Sequence, residues 1–203
     1  DSPEWFEKLF PMDVRPQAHD IIRTWAFYTI AKAHLHHNSV PWRKVLISGW
    51  ILDPDRKKMS KSKGNTQTPA EFVETYMADG MRYWAAGARL GVDTAFDEQV
   101  MKTGRRLVTK LYNAGRFVLG FDDPQVGGES AASSLSSAVQ NDVDRTFLAR
   151  LAQTIEKATS AFEGEMFAVA LEEVETFFWS TFTDTYIELV KERAKRGGEQ
   201  GDS

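Results

Sequence analysis

The chain of 203 residues is 42% apolar and 27% charged, with no cysteine. That balance fits a globular chain of one or two domains and excludes a disulfide framework or a thiolate metal site. No apolar run approaches the roughly 20 residues that span a bilayer, and no signal peptide opens the chain, so no membrane association and a cytoplasmic location are expected.

The net charge of −4 hides an asymmetry. Residues 1–66 hold eleven Lys/Arg against seven Asp/Glu, a balance of +4 that leaves −8 for the remainder. An acidic second half argues against a protein that coats nucleic acid unselectively.

Asp1 to Lys8 lacks an initiator methionine and leads directly into motif-bearing sequence, so the chain reads as a piece of a larger protein. Leu9 to Arg15 predicts a short strand stopped by Pro16, followed by a loop at Gln17-Ala18-His19. Asp20 then stands in an N-cap position, with Ile21, Ile22, Trp25, Ala26 and Ile30 behind it at helical spacing. A strand end facing a helix N-terminus favours anions and ribose hydroxyls. Asp20 is equally explained as a plain cap, and Trp25 as core. His34, His36 and His37 cluster, but no carboxylate or thiol has ligand spacing to them, so a metal site is not expected.

Val45-Leu46-Ile47 continues through Ser48-Gly49-Trp50-Ile51-Leu52 to Asp53-Pro54, which predicts one buried, parallel strand. Directly after it comes Arg56-Lys57-Lys58-Met59-Ser60-Lys61-Ser62-Lys63-Gly64-Asn65. Five of the eight residues from Arg56 to Lys63 are basic, and neither a helix nor a strand period fits. Ligands bind beyond the carboxyl ends of parallel strands. A mobile lysine-rich loop in that place suits a polyphosphate that must be gripped and released.

Thr68-Pro69-Ala70-Glu71 combines a cap, a proline at the first helical position and a capping-box glutamate. The helix is expected to end near Met77, and Asp79-Gly80 to open another that Gly80 weakens slightly. From Phe96 onward the pattern is all-helical. Val100, Gly104, Leu107, Val108, Leu111, Gly115 and Val118 form one apolar stripe. Lys102, Arg106 and Lys110 share another face, either solvated or set against an RNA backbone. Residues 122–141 read as a flexible loop. Helices are predicted at about Val143–Phe162, broken by Gly164, and from Glu165 toward the polar tail at Gly197. Phe177-Phe178-Trp179 fits bundle core better than a base-stacking platform.

Two motifs carry a resemblance. Lys58-Met59-Ser60-Lys61-Ser62 resembles the KMSKS signature of class I aminoacyl-tRNA synthetases. Upstream, Arg15-Pro16-Gln17-Ala18-His19-Asp20-Ile21-Ile22-Arg23-Thr24-Trp25 is similar to the valyl branch of that family. The second HIGH signature is absent from the 203 residues.

The resemblance implies an α/β fold followed by an all-α one. Residues 1–95 would be the end of a Rossmann-like catalytic domain, and 96–203 an anticodon-binding helical bundle. It implies a valine–tRNA ligase chemistry with ATP and Mg²⁺ as substrate, valine and valine tRNA as partners, and a monomeric parent. Lys61 and Lys58 would be catalytic. Gln17, His19, Asp20, Gly49, Trp50, Ile51, Met59, Ser60, Ser62 and Lys63 would contact ATP. Asp20, Ile21 and Trp25 would form the amino-acid pocket. Ala18 replaces a usual glycine. The rivals are another branched-chain class I synthetase and a noncatalytic module that grips tRNA or phosphate, with Lys102, Arg106 and Lys110 as its RNA contacts.

Overall fold

The computed structural model describes residues 3–60, 64, 69–120 and 139–196. The chain divides into two compact units: Asp1–Pro69 with Ala88–Glu98, and Ala70–Gly87 with Gln99–Ser203.

The first unit is α/β. Helix α1 (Pro3–Leu9) precedes strand β1 (Met12–Ala18), which pairs in parallel with β2 (Trp42–Ser48) in a register that sets Arg15 against Val45 and Gln17 against Ile47. The strand runs through Pro16 instead of stopping there. A strand with one free edge tolerates proline when its missing N–H faces away from the ladder. Between the two strands a continuous helical stretch begins as 3₁₀ (His19–Ile21), widens to π (Ile22–Ala26) and settles into α2 (Phe27–His37). Asn38, in the left-handed region at φ 48°, ends α2 with its N–H on the His34 carbonyl.

The expected single strand after residue 45 is two strands. β2 ends at Ser48, the chain turns at Gly49-Trp50, and β3 (Ile51–Leu52) pairs in parallel with β4 (Thr94–Ala95) in a separate sheet. Gly49 forces the break. A Cβ there would lie 2.3 Å from the Val92 carbonyl oxygen and 2.5 Å from the Asp93 nitrogen, so the backbones meet where no side chain fits. Nor is β2 fully buried, since Val45 is exposed and Leu46 and Ile47 are half-buried.

The second unit is helical. Helix α3 (Pro69–Ala86) is interrupted at Met77, whose φ of 64° and ψ of 159° are not helical. The expected break between two short helices is therefore present at that residue. Helix α4 (Glu98–Val118) buries Met101, Gly104, Leu107 and Ala114. This face is rotated from the predicted stripe, because Val108, Leu111 and Val118 are exposed. Two glycines set it. A Cβ on Gly104 would meet the Tyr83 side chain at 2.5 Å, and one on Gly80 would meet the Met101 carbonyl oxygen at 2.9 Å. Gly80 is thus a close-packing residue more than a weak point in its helix.

Helix α5 (Asp142–Glu163) starts on Asn141, whose side chain accepts the Val143 N–H at 2.9 Å. The expected loop at 122–141 lies outside the described residues up to 138. After Gly164 a continuous helix runs as α6 (Phe167–Thr176), a π segment (Phe177–Tyr186) and α7 (Ile187–Arg196). Phe178 is buried with Leu107 and Ala114, and Tyr83, Trp179 and Phe182 pack against them, so this aromatic group is core. A second cluster, Ala158, Ala161 and Ala170, closes α5 onto α6. Ile155 on α5 is exposed.

Two polar knots stitch the helices. Asp144, 2% exposed, receives Arg193 at 2.6 Å on both carboxylate oxygens and the Tyr186 hydroxyl at 3.0 Å. Glu175 accepts the Tyr83 hydroxyl at 2.6 Å and the Trp179 indole at 3.1 Å. Burial, then the neighbouring carboxylate, pushes each tyrosine up to about 12.

Candidate active site

The candidate site lies in the first unit, where the ends of β1 and β2 meet the base of the lysine loop. That base is ordered. Leu52 bridges Lys58 in antiparallel fashion, and Met59 donates its N–H to the Ile51 carbonyl. The turn between them is pinned by Asp53, which is 8% exposed and accepts the Lys57 N–H at 2.8 Å. Arg56 takes a positive φ of 62° to complete it. Asp53 was invisible as a site residue in the sequence, although Asp53-Pro54-Asp55 is a turn signal. The loop is therefore a hairpin at its start. Lys61, Ser62 and Lys63 lie outside the described residues.

The hairpin delivers Lys58 to Asp20. Their Nζ to Oδ2 distance is 3.1 Å, across 38 positions of sequence. The same ammonium lies 4.3 Å from the centre of the Trp50 ring, and His19 packs on that ring at 4.7 Å. A cation over an indole face is held by the ring quadrupole in addition to the ion pair. The Lys58 hydrogen bond holds the Asp20 carboxyl below its usual range, and the Lys58 charge and the nearby Trp50 indole add to that, against a smaller opposing cost of burial. Asp20 is not the N-cap: Ala18 occupies that place with no side-chain cap, which leaves the carboxylate for Lys58.

His19 donates from Nδ1 to the Ser48 carbonyl at 3.2 Å, joining the ends of β1 and β2. Gln17 is 8% exposed, yet neither end of its amide has a partner among the described residues. Buried donors and acceptors left open at a strand end are what a polar ligand or a further protein segment would satisfy. Trp50 is fixed by its main chain, which donates to Asp93 Oδ1 at 2.7 Å and accepts the Thr94 N–H at 2.9 Å. Ile51 is half exposed, Met59 and Ser60 are half-buried.

Gln17, His19, Asp20, Gly49, Trp50, Ile51, Lys58, Met59 and Ser60 thus lie along one connected rim. Trp25 lies apart from it. It is 58% exposed, 5.3 Å from the Arg15 guanidinium, and lines an open cavity of about 460 Å³ with Thr24, Tyr28, Thr29 and Lys32. Ile21 is half-buried and does not line that cavity. The π widening between them places an extra residue in that turn, a feature common at functional sites. Lys102, Arg106 and Lys110 are exposed on α4, and Lys110 reaches the Trp179 ring at 5.9 Å. His37 packs on Phe6 and Phe10 at 4.9 and 5.0 Å, and no group of three potential metal-ligating side chains occurs among the described residues.

Residues 1–97 match the family described as tRNA synthetases class I (I, L, M and V), and residues 144–202 match the anticodon-binding domain of tRNA ligase. The matched residues are those of a class I tRNA synthetase. It is 53% identical over 193 residues to a valine–tRNA ligase of Thermobifida fusca, covering 95% of this chain and 21% of that relative. It is 48% identical over 190 residues to a valine–tRNA ligase of Rickettsia rickettsii, covering 93% of this chain and 23% of the relative. The chain therefore spans between a fifth and a quarter of the length of these curated relatives.

Among solved structures, a Mycobacterium tuberculosis methionyl-tRNA synthetase bound by methionyl-adenylate aligns with a TM-score of 0.66 at 25% identity, over 97% of this chain and 37% of that one. A leucyl synthetase from Agrobacterium radiobacter K84, in a ternary complex with tRNA and LeuAMS, shares the fold with a TM-score of 0.62 at 18% identity, over 94% of this chain and 24% of that one. The architecture is that of a class I synthetase, an α/β part followed by helices, with helix predominating and the parallel sheets small.

Proposed function

We propose that this chain supplies the lysine-loop side of a valine–tRNA ligase active site, together with the first helices of its anticodon-binding bundle, with the boundary near residue 95. The observation that carries the reading is the approach of Lys58 to Asp20 and Trp50 at the strand ends. It sets a loop lysine beside a carboxylate and an aromatic face, where a nucleotide and an amino acid can meet. The identity to valine–tRNA ligases across both units supports valine as the amino acid.

In this reading the valine carboxylate attacks the α-phosphate of ATP in line, giving valyl-adenylate and pyrophosphate. A hydroxyl of the terminal ribose of valine tRNA then takes the valyl group, and AMP leaves. No enzyme nucleophile is required, so catalysis rests on positioning and on stabilising charge that develops on the leaving pyrophosphate. Lys61 is the foremost cation for that charge, with Lys58 second and Lys63 auxiliary. The main chain at Gly49, Trp50 and Ile51 holds adenine. Gln17, His19 and Asp20 bind ribose and amino-acid polar groups, and Met59, Ser60 and Ser62 shape the phosphate side. Ile21 and Trp25 offer apolar surface to the valine side chain. Mg²⁺ accompanies ATP as part of the substrate, and the protein's own contribution to the phosphates is its lysines. The parent acts as a monomer in the cytoplasm.

Amino-acid-dependent ATP–pyrophosphate exchange by the full-length protein that carries this segment tests the reading. Exchange driven by valine, with isoleucine and leucine at least tenfold poorer in kcat/KM, is expected. Preferred exchange with isoleucine or leucine would assign the chain to a sister enzyme. The 203 residues alone are expected to show no exchange, since the HIGH side of the site is not among them.

A further inference from the structure

The hydrogen bond from the Trp50 main chain to Asp93 has a reach beyond its own strand. Asp93 lies 43 positions from Trp50, just before β4, and no sequence motif marks it. Three features converge on it. Its Oδ1 accepts the Trp50 N–H at 2.7 Å. The next residue, Thr94, donates to the Trp50 carbonyl at 2.9 Å, so both main-chain groups of Trp50 are held by adjacent residues. The absent Cβ of Gly49 lets this segment approach so closely that a methyl group would fall 2.5 Å from the Asp93 nitrogen. The turn at Gly49-Trp50 is therefore clamped on three sides.

What the clamp holds is an indole that two other groups use. His19 packs on the Trp50 ring at 4.7 Å, and the Lys58 ammonium lies 4.3 Å from its centre. The turn leads from the seven-residue β2 into β3, which pairs with β4 over only two residues each. A charged acceptor on a main-chain N–H is among the stronger hydrogen bonds a protein makes. We propose that Asp93 is a positioning residue: through the Trp50 main chain it fixes the indole platform that carries His19 and orients Lys58 for the nucleotide. This rests on the synthetase reading above for its consequence in ATP use. The clamp itself is independent of that reading.

The test uses the full-length protein with Asp93→Ala and Asp93→Asn, since an asparagine amide oxygen can accept the same N–H. Valine-dependent ATP–pyrophosphate exchange per active site is measured together with the ¹⁹F spectrum of 5-fluorotryptophan-labelled protein, its Trp50 signal assigned with Trp50→Phe. Asp93→Ala is expected to change kcat/KM for ATP by about tenfold, the scale of one charge-assisted hydrogen bond, with KM for valine within twofold. It is also expected to move or broaden the Trp50 signal, and Asp93→Asn to restore both. A Trp50 signal unchanged in Asp93→Ala, or an Asn variant as impaired as the Ala variant, overturns the clamp. Wild-type protein that shows no valine-dependent exchange overturns the synthetase reading instead, and the ¹⁹F signal still decides the clamp. A general folding defect would lower the active fraction and affect both substrates alike, whereas the clamp affects ATP alone.

Discussion

Lys58 and Asp20 show how much a single contact decides here. Each alone has an ordinary explanation, a solvated lysine and a helix cap. The pairing at 3.1 Å removes both, because the cap position belongs to Ala18 and the lysine lies against an indole. The sequence made Asp20 legible as a polar group at a strand end, but its partner is 38 positions away and depends on how the Asp53 turn aims the hairpin. Asp53 and Asp93 were illegible for the same reason: each acts by accepting a main-chain N–H, which leaves no pattern in side-chain types. The sequence marks Gly49 as part of a strand, and the resemblance as an ATP contact, but neither shows the backbone it meets. Gly49→Ala in the full-length protein should cost about 1–3 kcal/mol, the usual range for overpacking a filled site, and a lowered Tm is the readout. Alanine at Ile21 or Trp25 should raise KM for valine more than KM for ATP. Equal effects on both substrates would remove these two residues from the amino-acid pocket.

At the scale of elements, periodicity located nearly every helix but misjudged the buried face of α4. The predicted stripe includes Gly104 and Leu107, which are buried, but the structure also buries Met101 and Ala114 and leaves Val108, Leu111 and Val118 exposed. Small residues decided the matter. Gly104 admits Tyr83 and Gly80 admits the Met101 carbonyl, so the two helices approach at a pair of glycines, of which only Gly104 lies on the predicted stripe. Gly104→Ala should destabilise the helical unit by roughly 1–3 kcal/mol through that contact. Denaturant unfolding checks it, and an unchanged midpoint would show that the helices can part at no cost. The π widenings at Ile22–Ala26 and Phe177–Tyr186 were also beyond periodicity, since one extra residue per turn shifts a helical face without altering its composition.

At the scale of the whole molecule, charge is divided unevenly along the chain. The basic balance belongs to the stretch that carries the lysine hairpin, and the acidic remainder spends some of its carboxylates on internal knots. Asp144 and Glu175 each hold a tyrosine whose hydroxyl is pushed up to about 12. A raised folded-state value means that this contribution is complete below the usual tyrosine value of about 10 and is lost as pH rises through about 12. Denaturant midpoints should therefore fall between pH 10 and 12, and the combined variant Tyr83→Phe with Tyr186→Phe should flatten that fall. An identical fall in the double variant would assign it to other groups.

In the proposed reading the lysine loop acts on the phosphates of ATP and not on tRNA. Lys61→Ala in the full-length protein separates the two, assayed for single-turnover valyl-adenylate formation and for valine tRNA affinity on the same preparation. A loss of roughly a hundredfold or more in adenylate formation is expected, with tRNA affinity within about twofold. Collapsed tRNA affinity with adenylate formation intact would contradict it and make the loop an RNA-binding element.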